Sequence, residues 1–242
     1  MSKSFSTLKI SRSGLKLFLE CPRCFWLDLH HKVKRPPSFP YTLSSAVDFL
    51  VKKEFDKFRA EGTLPPVLKN YGIKDAKLYS GNNLGDWRNN FKGIAYFDES
   101  LNAILYGAVD DILEFKDGSL GVIDYKSSGS REITIYEDYQ KQMDTYNYIL
   151  QELGYETYPE AFFVFYKVMK EGETGFANAL KFTEEVRPVK VNKDWVGPAF
   201  ERAVALARQN TPPKEAPAKG HCDHCHYVDL TSKLILTQDL NI

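Results

Sequence analysis

The sequence predicts an α/β fold in which a mixed central β-sheet is flanked by helices. Segments with helical apolar spacing alternate along the chain with runs typical of strands, in the order α, β, β, α, β, β, α. The 242 residues, 43% of them hydrophobic, supply enough apolar surface for a packed core. We therefore expect one domain that covers residues 1–242.

The chain begins and ends with a pair of cysteines, and regular elements fill the space between. Ser11 or Ser13 is expected to cap a short first helix that runs into the first pair. An extended tether over about 211–220 leads to the second pair. Between them we expect helices over about 42–60, 136–153 and 193–209, a fully buried strand over 161–166 and another strand over 178–191.

Residues 102–126 are typical of a β-hairpin, with a turn signal at 116–119. Asp124 and Lys126 are two residues apart on its second strand, so their side chains share one face. A carboxylate can hold a divalent cation, and an adjacent ammonium can orient the attacking water or stabilise charge on a phosphate. The pair therefore suits phosphodiester hydrolysis, although ordinary polar residues of an exposed hairpin form the same pattern.

The register of this hairpin decides whether Asp110, on the first strand, can join the pair. A turn with an even number of residues would set Asp110 opposite Tyr125, on the wrong face. An odd loop or a bulge at Gly118 would set it opposite Asp124, as a shared metal site requires. We therefore predict an irregular turn or strand, and Gly107 is expected to admit another backbone at close range.

Four segments, in order along the chain, resemble the motifs of RecB-like PD-(D/E)xK nucleases, which include CRISPR-associated exonucleases. The segments are Ser11-Arg-Ser-Gly-Leu-Lys-Leu-Phe-Leu-Glu-Cys21, Gly107-Ala-Val-Asp110, Asp124-Tyr-Lys126 and Gln142-Met-Asp-Thr-Tyr146. The resemblance implies a restriction-endonuclease-like fold and a DNA nuclease in repair, recombination or defence. It also implies protein partners such as a helicase or other repair and defence components.

The resemblance implies a role for each matched residue of the hairpin and the following helix. Asp110 and Asp124 would bind Mg²⁺ or Mn²⁺, helped by the backbone carbonyl of Tyr125. Lys126 would be the catalytic lysine. Gln142 would contact the substrate or support the site.

Two further positions have alternative interpretations. Tyr146 would pack beneath the site or touch the DNA, and its place in an apolar helix stripe also fits a core residue. Asp48 stands where the family has a histidine that completes the metal site. Its oxygen suits a hard cation such as Mg²⁺, and an ion pair with Lys52, four residues later, is the other interpretation.

The two C-x-x-C pairs can close one tetrahedral metal site that joins the ends of the chain. The expected ligands are Cys21, Cys24, Cys222 and Cys225. Resemblance favours a [4Fe–4S] cluster, but the family has one early and three late cysteines, and two matched pairs also suit Zn²⁺. Buried free thiols or a redox pair are the simpler alternatives. Further ligands or supporting groups, or a solvated tail, are the alternatives for His221, His224 and His226.

Composition narrows the expected partners. Lys+Arg and Asp+Glu are equal at 32 each, so net charge points to no polyanion. No apolar stretch has the length of a membrane span and the N-terminus has no signal core, so we expect a soluble cytoplasmic protein without a membrane partner. Basic side chains on the predicted helix over 42–60 either contact phosphates or form a solvated face.

No base-reading element is evident, so DNA ends or single strands are the expected substrate. Two other functions remain open. A catalytically weak nucleic-acid-binding accessory protein that keeps the fold is favoured by Asp48 in place of histidine. A small structural protein held by the cysteine site is the third hypothesis.

Overall fold

The computed structural model describes residues 6–37, 42–170, 178–213 and 222–238. Its helices are α1 (Arg12–Glu20), α2 (Pro22–His31), α3 (Thr42–Ala60), α4 (Pro66–Tyr71), α5 (Leu84–Trp87), α6 (Glu137–Glu152), α7 (Val196–Ala207) and α8 (Asp223–Gln238). Its strands are β1 (Leu8–Ser11), β2 (Ala76–Leu78), β3 (Ile94–Asp98), β4 (Ala103–Gly107), β5 (Asp111–Phe115), β6 (Leu120–Ser128), β7 (Glu160–Val168) and β8 (Phe182–Lys190).

The chain groups into two compact units. The terminal unit comprises Met1–Pro40, Asp98–Ile104 and Gly197–Ile242. The sheet unit comprises Tyr41–Phe97 and Leu105–Val196. A three-stranded sheet has the order β1-β4-β3, and the boundary between the units crosses β3 and β4.

The sheet unit contains a five-stranded mixed sheet in the order β2-β5-β6-β7-β8. Strands β6 and β7 run parallel, and the other neighbours are antiparallel. Phe55 of α3 packs against Tyr125 on one face, with ring centroids 4.7 Å apart, and Gln142 of α6 bonds to Asp124 on the other. The predicted fold class, a mixed sheet flanked by helices, is therefore confirmed.

The turn between β5 and β6 has the odd length that the sequence predicts. Phe115 N–H donates to the Ser119 carbonyl over 2.9 Å, which leaves a three-residue loop. Gly118 closes this loop at φ 86°, a conformation that favours glycine. The resulting register pairs Asp111 with Ile123.

The prediction of one strand over 102–115 is wrong. That segment forms β4 and β5, which belong to different sheets. The chain leaves the ladder between them because Val109 N–H donates to the Trp87 carbonyl over 3.0 Å and Arg88 Nε donates to the Asp110 carbonyl over 2.8 Å. Two backbones do approach closely here, but the glycine that this requires is Gly93, because a side chain there would meet the Gly107 carbonyl.

The terminal unit is largely helical. Ser11 caps α1, accepting from Gly14 N–H over 2.9 Å, as expected. Trp26 of α2 donates its indole N–H to the Gln209 carbonyl just beyond α7, over 2.9 Å. Helix α8 covers the segment for which a solvated tail was one expectation. Most of the predicted tether, 214–220, lies outside the described residues.

Candidate active site and cysteine centre

Asp110 lies one residue before β5, in a bend rather than on the strand as expected. One further step along the observed register sets Asp110 opposite Asp124, on the face that a shared site requires. The carboxylate of Asp110 also accepts a hydrogen bond from Tyr125 N–H over 3.0 Å. The hairpin therefore brings the two aspartates together through its loop length and one backbone hydrogen bond.

Lys126 and Gln142 both contact the Asp124 carboxylate, which is 2% exposed. The Lys126 ammonium forms an ion pair with one oxygen. Gln142 Nε2 donates to the other over 2.6 Å and lies 3.3 Å from the Tyr146 hydroxyl. Tyr146 is 3% exposed, so it packs beneath Gln142. The carboxylate, ammonium and amide predicted from the motifs form one connected group.

Asp48 reaches this group through Lys52, and the ion pair between these two residues is present. Lys52 Nζ lies 2.9 Å from Asp48 Oδ2 and 2.7 Å from Asp110 Oδ1. Burial, followed by the carboxylate of Asp110, raises the pKa of Asp48 even though Lys52 opposes the shift. Burial lowers the pKa of Lys52, but its ion pairs with both aspartates raise it overall. A cation is therefore already held between these two carboxylates.

A buried ion-pair network around Asp111, which the sequence did not predict, lies beneath the site. Asp111 is fully buried and accepts from Arg59 Nη2 over 2.8 and 2.7 Å and from Arg88 Nη2 over 2.6 Å. Tyr125 donates its hydroxyl to the same carboxylate over 2.7 Å. Burial and Asp111 raise the pKa of Tyr125 well above its usual value, so the phenol stays protonated. Arg88 also holds the Asp110 backbone, which ties the network to the site.

The network was missed because its members are far apart in the sequence. Arg59 is one of the basic residues of the predicted helix over 42–60, and Arg88 lies in a region without a clear pattern. Asp111 follows Asp110 directly, so a pair of adjacent aspartates was the available signal. Neighbouring residues of an extended chain point to opposite sides, and one of the two therefore had to face the core.

The candidate oxygen donors for a divalent cation come from three separate elements: α3, the bend before β5, and β6. The donor set of Asp48, Asp110, Asp124 and the Tyr125 carbonyl is chemically suited to Mg²⁺ or Mn²⁺. The three carboxylates do not all lie within 4.8 Å of one another, since among the described residues only the four cysteines meet that spacing. The three carboxylates are therefore not yet close enough to share one ion, and the Lys52 ammonium lies between those of Asp48 and Asp110.

The four cysteines of the terminal unit form one buried cluster, so the expected meeting of the two pairs is confirmed. Each pair lies at a helix N-terminus: Cys21 is the N-cap of α2, and Cys222 directly precedes α8. The Sγ atoms of Cys21 and Cys225 lie 3.7 Å apart. The Sγ atom of Cys24 lies 3.7 Å from that of Cys222 and 3.6 Å from that of Cys225. Helix N-termini favour the thiolate form that binds metal.

Arg35 complements the negative charge that bound thiolates would carry. Its Nη2 lies 3.4 Å from Cys222 Sγ, and its Nη1 donates to Glu20 over 2.6 Å. Within the described part of the chain, no histidine nitrogen joins the compact ligand set. His224 and His226 are exposed, and His221 lies outside the described residues.

Known proteins provide an independent comparison. The model of the PD-(D/E)XK nuclease superfamily matches residues 47–230, which is more than half of the chain. The chain belongs to the PD-(D/E)XK nuclease superfamily. As a PD-(D/E)XK nuclease it is a phosphodiester hydrolase with a nucleic-acid substrate, and this superfamily uses divalent metal ions.

Further comparisons add little to this PD-(D/E)XK assignment. The crystal structure of SSO0001 matches with 14% sequence identity and a TM-score of 0.40, over 86% of this chain and 80% of that one. At that TM-score the likeness says nothing more about the nuclease. No curated protein matches the sequence significantly. No helix in the described ranges is both long and apolar enough to cross a membrane.

Proposed function

We propose that the chain is a Mg²⁺- or Mn²⁺-dependent DNA nuclease, acting as an exonuclease on DNA ends or single strands. The observation that carries the proposal is the hairpin register, which sets Asp110 opposite Asp124. Lys126 contacts Asp124 on the same face. Structural ion pairs alone would not require an odd loop that turns a second carboxylate toward this pair.

The proposed roles follow from the donors that each residue presents. Asp48, Asp110, Asp124 and the Tyr125 carbonyl would hold the ion, which when bound supplies Lewis acidity and a more acidic water. Lys126 carries its positive charge at the Asp124 carboxylate, where it would stabilise negative charge that develops on the phosphate.

Gln142 and Tyr146 have proposed supporting roles. Gln142 holds the Asp124 carboxylate by its amide hydrogen bond and leaves its carbonyl oxygen for other contacts. Tyr146 is buried and acts through Gln142 rather than by touching DNA in this conformation.

We place the activity in the cytoplasm, in repair, recombination or defence, alongside a partner such as a helicase.

A cleavage assay tests the proposal. End-labelled and internally labelled DNA, single-stranded and double-stranded, is incubated with Mg²⁺ or Mn²⁺ and compared with the Asp124→Asn variant. We expect metal-dependent cleavage by the natural sequence, shortening from labelled ends, and none by the variant. Binding of DNA without cleavage in either metal would remove the nuclease proposal.

A second candidate function is nucleic-acid binding without efficient cleavage. The observation that favours it is the position of Lys52, whose ammonium occupies the space between Asp48 and Asp110. A cation built into the site competes with a bound metal for the same carboxylates. Retention of DNA affinity without turnover, in the assay above, is the result that this alternative predicts.

For the cysteine centre we propose a single tetrahedral ion, with Zn²⁺ as the first choice. Zn–S bonds of about 2.3 Å place tetrahedral thiolates roughly 3.8 Å apart. The sulfur separations of 3.6 and 3.7 Å are close to that value. In a [4Fe–4S] cluster each thiolate binds a different iron, so the sulfurs lie farther apart.

Metal analysis and visible absorption of anaerobically purified protein distinguish the two groups. We expect about one zinc per chain and a colourless protein. A brown protein with about four irons per chain and broad visible absorption would establish the cluster instead. Neither result bears on whether the active site cleaves DNA.

A further inference from the structure

An exposed aromatic side chain stands at the start of α6. Tyr136 is the N-cap residue of this helix, in an extended backbone conformation, and its side chain is 59% exposed. It packs edge-on against Tyr139, with ring centroids 5.5 Å apart and an interplanar angle of 83°. The ring of Tyr136 is therefore supported from below and still presents a face to solvent.

This aromatic pair leads directly to the catalytic group. Lys126 Nζ lies 5.0 Å from the ring centroid of Tyr139 and 5.8 Å from that of Phe163. Tyr139 and Phe163 are themselves 5.5 Å apart. Both distances from the ammonium are within the range of a cation–π contact. The rings thus form a continuous path from Lys126 to the exposed face of Tyr136.

The sheet face that carries Lys126 continues into a basic pocket. Residues paired across parallel β6 and β7 share a face, and Ser128, two positions after Lys126, pairs with Lys167. Lys167 donates to the Arg131 carbonyl over 3.1 Å. Lys167 and Arg131 line an open pocket of about 420 Å³. Three of its lining side chains are cationic: Arg131, Lys167 and Lys170. None of the described residues that line it is acidic.

The Tyr136 end and the basic pocket differ in charge, so they suit different parts of a nucleotide. Glu137 and Asp138 lie in the same turn as Tyr136, and Glu137 is paired with Lys141 over 2.8 Å, so that end of the site carries no excess of positive charge. The pocket with Lys167 and Arg131 attracts phosphate. A base therefore suits the tyrosine end, and the sugar-phosphate backbone suits the pocket.

We propose that Tyr136 and Tyr139, together with the basic pocket, form a subsite for an unpaired nucleotide next to the scissile phosphate. The base stacks on Tyr136, and Lys167 and Arg131 contact the adjoining backbone. Bases inside a duplex are already stacked on both faces, so an unpaired base is the occupant that an exposed ring selects. The inference rests on the proposed nuclease function and specifies its substrate as single-stranded DNA.

The test uses a single-stranded DNA oligonucleotide that carries 2-aminopurine, whose fluorescence falls when it stacks. Binding is measured without added Mg²⁺ or Mn²⁺, so that cleavage does not consume the probe. Tyr136→Ala is expected to weaken binding about 10-fold and to abolish the fluorescence decrease. Tyr136→Phe keeps the ring and should bind within about two-fold of the natural sequence.

Phe91→Ala is the matched control, because Phe91 is 93% exposed and lies between α5 and β3, outside the aromatic pair and the lining of the basic pocket. It should leave affinity and fluorescence unchanged. Lys167→Gln is expected to reduce the slope of log affinity against log salt by about 0.7, as loss of one phosphate contact on a single strand requires. An unchanged slope would remove the basic pocket from the proposal.

Binding and cleavage are scored separately. If Tyr136→Ala binds the probe normally and retains the fluorescence decrease, the subsite is refuted even though the protein cleaves DNA. An equal loss of affinity for blunt duplex also refutes it. If the natural sequence cleaves nothing but the fluorescence decrease depends on Tyr136, the nuclease proposal fails and the single-strand subsite is supported.

Discussion

The proposed active site and the cysteine centre bring their candidate ligands together in different ways. Each cysteine pair comes from one helix N-terminus, where the C-x-x-C spacing sets two thiols close together. The four sulfurs already lie within 4.8 Å of one another. The three carboxylates of the active site come from three elements, and they do not reach that spacing. Each cysteine pair is thus organised locally, and only the meeting of the two pairs needs tertiary contacts, whereas each oxygen ligand is placed by a different element.

The groups that contact the thiols also differ from those that hold the aspartates in place. The thiols pack with one another, Cys21 Sγ accepts a hydrogen bond from Cys24 N–H over 3.4 Å, and the Arg35 guanidinium lies 3.4 Å from Cys222 Sγ. The aspartates depend on Lys52, on the Tyr125 backbone, and on the Asp111 network that fixes the hairpin. A site built from distant elements needs such fixed charges, because like charges repel until a cation joins them. Four substitutions test this contrast, in order of decreasing expected effect.

Cys222→Ser should have the largest effect, because it removes one of four ligands from a centre whose binding energy stabilises the terminal unit. We expect loss of stoichiometric metal and a fall in the free energy of unfolding on the order of 5–10 kcal/mol. Metal analysis and chemical denaturation measure the two quantities. His224→Ser is the control, since this exposed residue lies outside the thiol cluster, and it should keep the metal. Equal metal loss in both variants would show that the histidine is a ligand.

Asp111→Ala should destabilise the sheet unit by about 3–5 kcal/mol, because the guanidinium groups of Arg59 and Arg88 lose their buried partner. Urea denaturation measures the change. The exposed carboxylate of Asp194 provides the control, and Asp194→Ala should stay within about 0.5 kcal/mol of the natural sequence. A loss no larger than the control's would show that the buried network does not hold the hairpin.

Lys126→Ala should lower kcat by about 10²–10³-fold, because it removes a charge from the reacting centre. Single-turnover cleavage of labelled DNA gives the rate, and thermal denaturation checks the fold. Lys116→Ala removes an exposed lysine from the loop of the same hairpin and should cleave normally. Undiminished cleavage by Lys126→Ala would overturn the site assignment, even if the activity itself stands.

Lys52→Gln should have the smallest effect. Removing the ammonium between Asp48 and Asp110 relieves competition with the metal, so the Mg²⁺ or Mn²⁺ concentration for half-maximal cleavage should fall about three- to ten-fold. Metal titration of the cleavage rate measures it, and Lys53→Gln, on an exposed position of the same helix, serves as the control. A rise in the required concentration would mean that Lys52 supports metal binding.

Much of the sheet unit was predictable because its signals are local. The run over 161–166 and the periodic segment over 42–60 became β7 and α3. The odd loop at Gly118 followed from the parity of the hairpin and the need to place two aspartates on one face. Period and loop length act over a few residues, so they are visible without knowledge of distant contacts.

Other features required contacts that no local pattern reports. The break between β4 and β5 follows from hydrogen bonds to Trp87 and Arg88, about twenty residues earlier in the chain. Apolar Val109 gave no sign of it, because a buried bend and a buried strand have the same composition. Helix α8 was also missed, since its polar start resembles a solvated tail until the cysteines meet their partners.

The sequence by itself indicated the hairpin of the candidate site, the helix that carries Gln142, the two cysteine pairs and the family. These depend on residue type at short, fixed spacing. Only the tertiary structure decided that Asp111 is a buried anchor while its neighbour Asp110 faces the site, and that Lys52 lies between two candidate ligands. Charges separated by tens of residues interact only after folding has excluded water and fixed their distance, so their partners are a property of the packed chain.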